Sequence, residues 1–207
     1  MIRPSVNQLL EVFSRKGYRV YDTDSVDWNL NIVGIRSLDP VPDTFDDTLV
    51  VFHRFRGIWD IFYYHITTDP SIYYLRHPIA SAGQGTAILK EGQYLGAYKI
   101  DIHKRGKPGA HEAICQRLGP VTVFRDSNRD DRLNLNASQT ETGMFGINLH
   151  RGPLVAHPDS ANWKLSAGCQ VFADRRQFDD FMLKCHNGAR AFGNKFTYTL
   201  LHERDFA

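Results

Sequence analysis

Phe145-Gly146-Ile147-Asn148-Leu149-His150-Arg151-Gly152 is followed, with fifteen residues between His150 and Ser166, by Ser166-Ala167-Gly168-Cys169-Gln170. The first stretch reads as an apolar strand that ends on its histidine, and the second as a glycine turn that presents a cysteine. A helix is expected directly after the turn. Asp174 with Gln177 three residues later has the pattern of a capping box, and Phe178, Phe181, Met182 and Cys185 recur at helical spacing on one face. Asn187-Gly188 reads as the left-handed stop of that helix. Strand, turn and helix in this order predict an α+β protein.

Outward from this region the chain is mainly β. Ser5 caps a short amphipathic helix carrying Val6, Leu9, Leu10 and Phe13, and Gly17 ends it. Trp28 to Arg36 reads as a strand. Thr48 to Arg56 and Ile58 to Thr67, rich in Val, Ile, Phe and Tyr around Gly57, read as a hairpin. Thr86 to Leu89, Gln93 to His103, Ala113 to Leu118, Val121 to Arg125 and Phe196 to His202 supply further short elements. No fixed-period repeat and no low-complexity linker divides the chain, so a single domain over residues 1–207 is expected.

Composition narrows the function classes. The 207 residues are 42% hydrophobic and 23% charged with a formal net charge of +2, the profile of an ordinary globular protein. The longest basic cluster is His103-Lys104-Arg105, too little for a nucleic-acid stripe, so no nucleic-acid partner is expected. No stretch approaches the ~20 apolar residues of a membrane span. Met1 to Gln8 has no apolar h-region, so synthesis in the cytoplasm without a signal peptide is expected. Three cysteines, an odd number, leave at least one thiol free.

Cysteine nucleophiles need a base to take the thiol proton, a group to orient that base, and donors for the developing oxyanion. Cys169 and His150 are the candidate pair, with the amides around Gly168 and Cys169 as donors. Cys115 and Cys185 read as packing residues. His53, His65 and His202 read as ordinary strand histidines, while His103, His111 and His157 lie nearer the pair, and His157 is placed to line a cleft. Asp126-x-Asn128-x-Asp130 has the start of a calcium loop, but Asp131 and Ala137 stand where such a loop has Gly and Glu; a polar turn is the competing reading. No close Cys or His pair suggests zinc, and no cofactor is expected.

The His-x-Gly of His150-Arg151-Gly152, the spacer, and Ser166-x-Gly168-Cys169 resemble the active-site signature of the YkuD-like L,D-transpeptidases, cysteine enzymes that remodel bacterial peptidoglycan. The usual Ser-His-Gly-Cys followed by Arg or Asn is here Ser-Ala167-Gly-Cys-Gln170. Gly85 to Tyr94, running into Tyr98-Lys99-Ile100, is similar to the strand pair that precedes the family's site. The resemblance covers about residues 85 to 190 within an expected catalytic region 85–207, and leaves 1–80 unassigned. It implies a mixed β-sheet sandwich or barrel with an N-terminal helix and a helix after the cysteine.

It also implies roles. Cys169 attacks a stem-peptide carbonyl to form a thioester. His150 shuttles the proton, the Arg151 carbonyl orients the imidazole, Gly168 and Cys169 amides hold the oxyanion, and Ser166 braces the turn. Gln170, His157, Trp163 and Asn148 are the expected substrate contacts, and a peptidoglycan stem peptide is the expected partner. Transpeptidation and hydrolysis both remain open. So do a catalytically inactive peptidoglycan-binding module and a cysteine peptidase or acyltransferase with another substrate. Action at the cell wall would require delivery by another route, as phage lysis or tail proteins achieve.

Overall fold

Asn31–Arg36 (β1), Asp47–Phe55 (β2) and Ile58–Thr67 (β3) start a β-barrel in the computed structural model, which describes residues 1–79, 84–153 and 163–207. β1 is buried at every residue, and the pleat explains why. Ile32 points into the barrel with Leu49 and Val51 of β2. Val33 and Ile35 point outward with Val50 and Phe52, under the helix Val6–Lys16 (α1). A strand covered on both faces reads as an unbroken apolar run rather than an alternation. Ser5 and Gln8 close a reciprocal cap on α1, and Gly17 ends it at φ 67°. Leu9, Val12 and Phe13 form its buried stripe.

After the short helix Ile72–Arg76 (α2) come Thr86–Leu89 (β4), Gly92–His103 (β5), His111–Gln116 (β6), Val121–Asp126 (β7), Thr140–Gly143 (β8), Leu149–Arg151 (β9) and Gln170–Phe172 (β10). The helix Arg175–Phe192 (α3), the strand Phe196–His202 (β11) and one 3-10 turn, Glu203–Phe206, finish the chain. Among the described residues the barrel closes in the order β1-β11-β5-β6-β9-β10-β3-β2, and β4-β7-β8 form a separate small sheet. Only the β1–β11 and β9–β10 neighbours are parallel. Three of the eight barrel strands come from the first eighty residues. The coarse architecture is therefore α+β and mainly β.

Several elements depart from the reading of the sequence. The strand expected from Trp28 starts at Asn31, and Trp28 itself sits at φ 72°. The apolar run from Phe145 is a strand only at Leu149–Arg151. Ahead of it, Gly146 turns at φ 72°, and the N–H groups of Phe145, Gly146 and Ile147 all donate to Gln116 Oε1. A buried side-chain amide has replaced a neighbouring strand as hydrogen-bond partner. Asn187-Gly188 does not stop α3, which continues to Phe192 and Gly193. Gly188 is instead a packing residue, because a Cβ there would lie 3.1 Å from the Trp28 carbonyl oxygen and 3.3 Å from Leu30. Asp174 caps α3 by accepting from the Gln177 N–H, but the Gln177 side chain accepts from the His65 N–H rather than turning back.

Candidate active site

The cysteine turn is built before any chemistry is asked of it. Ser166, 2% exposed, accepts from the Gly168 N–H at 3.0 Å and donates to the Cys169 carbonyl at 2.8 Å. Its own carbonyl accepts from the Ser71 N–H at 2.8 Å and the Ser71 hydroxyl at 3.3 Å. Gly168 adopts φ 120°, and a Cβ there would overlap the Ala87 carbonyl of β4. Only glycine lets the turn approach that strand. Inside the barrel, Gln170 accepts from the Tyr198 hydroxyl at 2.9 Å and donates to the Gly168 carbonyl at 3.3 Å.

The parallel pairing of β9 with β10 matches Val171 with His150 and Gln170 with Leu149. Leu149 and Phe172 face the main core, so His150 and Val171 share the outer face. Cys169, half-buried, packs on that side against Trp163, Leu165 and Val171. Trp163 and Leu165 also line the cavity that His150 lines. His150 borders this cleft, while Cys169 sits on the neighbouring turn behind Trp163 and Leu165, which both line it. In this resting geometry the sulfur accepts from the Asn148 N–H at 3.4 Å and its S–H faces the Gly146 carbonyl at 3.5 Å. Burial raises the Cys169 thiol above the ordinary value, opposed by the Asn148 N–H. Burial first, then His103, pulls His150 down to about 3. The resting pair is therefore a neutral thiol and a neutral imidazole.

Hydrogen bonds fix the proton positions. His150 Nδ1 lies 2.9 Å from the Arg151 carbonyl oxygen, so Nδ1 carries the hydrogen and Nε2 is the free base. His103 stacks on His150 with centroids 4.1 Å apart and planes 18° apart. Asn148 Oδ1 accepts from the Gln116 N–H, which makes its Nδ2 the donor to His103 Nδ1 at 3.0 Å. The hydrogen of neutral His103 is then on Nε2, which is buried without a partner among the described residues. His111 lies 5.3 Å from His103 and 6.0 Å from His150, ring to ring. Burial lowers His103 to about 4 and also lowers His111.

The cleft beside these rings measures about 290 Å³, and four cations border it: Lys104, Arg151, Lys164 and Arg175. Such a wall favours an anionic group and opposes a metal ion, as does a hydrogen on His103 Nε2. A second cavity of about 310 Å³, walled by Tyr74, Phe145, Ile147 and Ala167, lies on the β4 side of the turn.

The structure brings Cys169, His150, Arg151, Gly168, Ser166, Asn148 and Trp163 together, but not in all the expected roles. The Gly168 N–H is spent on Ser166, leaving the Cys169 N–H as the amide of that pair without a partner among the described residues. Gln170 is fully buried and faces away from the cleft, so it braces the turn instead of touching substrate. Asn148, 4% exposed, has both ends of its amide engaged and positions His103 and β6. His157 lies outside the described residues. Asp126 Oδ2 accepts from the Asn134 N–H, while Asn128 and Asp130 bond each other and Asp130 Oδ1 takes the Arg132 N–H. That turn spends these oxygens on its own residues, while Asp126 Oδ1 is buried without a partner among the described residues. His103 and His111 gained importance only in the fold: they face each other across the β5–β6 hairpin, 47 and 39 residues before His150, and no local motif marks them. Comparison with protein-family models, with curated proteins and with solved structures finds no match for this chain.

Proposed function

We propose that the chain is a cysteine-dependent acyl-transfer or hydrolytic enzyme of the L,D-transpeptidase type, acting on peptidoglycan stem peptides through a thioester. The observation that carries this reading is the β9–β10 pairing, which runs the Cys169 turn beside the His150 strand, with the imidazole oriented by the Arg151 carbonyl and bordering a cationic cleft. Substrate entry would displace the S–H from the Gly146 carbonyl, and His150 Nε2 would take the proton. The thiolate adds to the scissile carbonyl, whose oxygen meets the Cys169 N–H. The protonated His150 then gives its hydrogen to the leaving amine, and the thioester passes to an amine or to water. Lys104, Arg151, Lys164 and Arg175 suit the free carboxylates of a stem peptide.

Incubation with tetrapeptide and pentapeptide muropeptides, followed by mass analysis of the products, tests it. Wild type should release or exchange the terminal residue, and Cys169→Ala should lose this at least a thousandfold, since the nucleophile is removed outright. Retention of unchanged muropeptides by both proteins would instead favour a binding module. Turnover confined to other amide or ester substrates would favour an unrelated peptidase or acyltransferase.

A further inference from the structure

Next to the segment that braces the cysteine turn lies a buried acidic group that the catalytic reading does not use. Asp46, Asp47 and Asp69 each offer a carboxylate oxygen, and these oxygens all lie within 4.8 Å of one another. Asp47 and Asp69 are 0% and 1% exposed, while Asp46 is partly open to water. One guanidinium answers them: Arg36, fully buried, reaches Asp69 Oδ1 at 3.5 Å but spends its closer contact on Glu91 at 2.8 Å. Among the described residues no other cation forms an ion pair with Asp46, Asp47, Asp69 or Glu91. Burial, and then Asp47, raise the Asp69 carboxyl above its ordinary value.

A second observation concerns the oxygens themselves. Asp69 Oδ1 is turned to Arg36 and to the Thr68 hydroxyl, yet its Oδ2 is buried with no hydrogen-bond donor among the described residues, and the same holds for Asp46 Oδ1. A carboxylate oxygen left this way costs several kcal/mol in other proteins unless a proton or a cation meets it. Asp47 takes the Ser37 N–H on Oδ1 and the Thr68 N–H on Oδ2, which aims the carboxylate and still leaves lone pairs.

We propose that Asp46, Asp47 and Asp69 bind one calcium ion that locks the wall behind the Ser166–Cys169 turn. The donors are all oxygen, which selects a hard cation, and the irregular shell offered by the start of β2 and the turn after β3 suits Ca²⁺, which tolerates varied geometry, better than Mg²⁺, which demands a near-ideal octahedron. Water through the open side at Asp46 would complete the shell. Two links join this site to the cleft. Asp69-Pro70-Ser71 delivers the Ser71 N–H to Ser166. Asp46 follows Phe45, whose ring packs edge-on against Trp163 at 6.1 Å.

The test uses the full chain, freed of metal with a chelator. Titration calorimetry with CaCl₂ should show one site per chain. A hundredfold excess over Kd should raise Tm by about 5 °C or more, with a smaller rise in MgCl₂ and none in NaCl of equal ionic strength. Asp46→Asn removes a ligand whose side chain makes no hydrogen bond among the described residues; it should keep the metal-free Tm and weaken calcium at least tenfold. Cys169→Ala should bind calcium like wild type, so this result is independent of the catalytic reading. No heat and equal Tm in all three salts would overturn the site. So would a calcium shift that Asp46→Asn retains, or a stabilisation reached only by acidification, which would mean that a shared proton fills the gap.

Discussion

Cys169 differs from the other two thiols in what surrounds it, and that difference is measurable. Cys115 and Cys185 are completely buried, and burial drives the first up to about 11 and the second well above its ordinary value. Cys169 is only half-buried, packed against the Trp163, Leu165 and Val171 cluster. Iodoacetamide labelling read by peptide mass should modify Cys169 first, at a rate that climbs through and above the ordinary thiol range because its own thiol is raised. Equal labelling of all three would contradict the site. The stacked histidines make a second prediction. Both folded values, about 3 for His150 and about 4 for His103, lie below the ordinary 6.5, so the unfolded chain gains protons that the folded chain refuses. These two rings therefore cost no stability above pH 6.5 and increasing stability as pH falls toward 4. Urea denaturation at pH 7, 6 and 5 should show His103→Gln losing less than wild type on acidification, by up to about 1.4 kcal/mol per pH unit. Parallel losses in the two proteins would refute the assignment.

The link between β8 and β9 depends on one side chain of β6. Gln116 Oε1 receives three consecutive N–H groups, and its Nε2 donates to the Gly119 and Gly143 carbonyls. Among the described residues no strand pairs with Phe145 to Ile147, so this amide sets the path that leads into Asn148 and His150. Gln116→Ala should cost about 2–4 kcal/mol by urea denaturation, since several buried groups lose partners together. It should also lower activity more than its stability loss explains. A change below ~1 kcal/mol would show that the segment holds its shape by itself. Sequence periodicity exposed the elements with regular partners: α1, the β2–β3 hairpin, β4, β5, β11 and the start of α3 were legible because apolar spacing reports burial. Residues 145–148 were not, because an apolar run looks the same whether a strand or a glutamine satisfies its backbone. Gly188 misled for a related reason, since a glycine chosen for close helix packing is identical in sequence to one chosen for a left-handed cap.

The barrel closes by pairing β1 with β11 and β9 with β10, contacts that join distant parts of the chain. Neither pairing has a local signal, and they decide what the site is. The Ser-x-Gly-Cys turn and His150 were visible as a spaced motif. The residues that tune them, His103, His111, Asn148 and Gln116, were assembled only by the barrel. Arg36 serves the same closure, spanning from β1 to Asp69, Glu91 and the Leu89 carbonyl while fully buried. Arg36→Met should therefore destabilise by about 3–5 kcal/mol, because it strands buried carboxylates; a neutral result would show those groups already protonated. The central claim is that the closed barrel makes Cys169 a nucleophile served by His150. Intact-protein mass after brief mixing with a tetrapeptide muropeptide examines it most directly. Wild type should carry one acyl adduct, mapped to Cys169 and cleared by hydroxylamine, with its formation slowed at least a hundredfold in His150→Ala. An adduct that forms equally fast without His150, or none on Cys169 while the muropeptide is consumed, would contradict it.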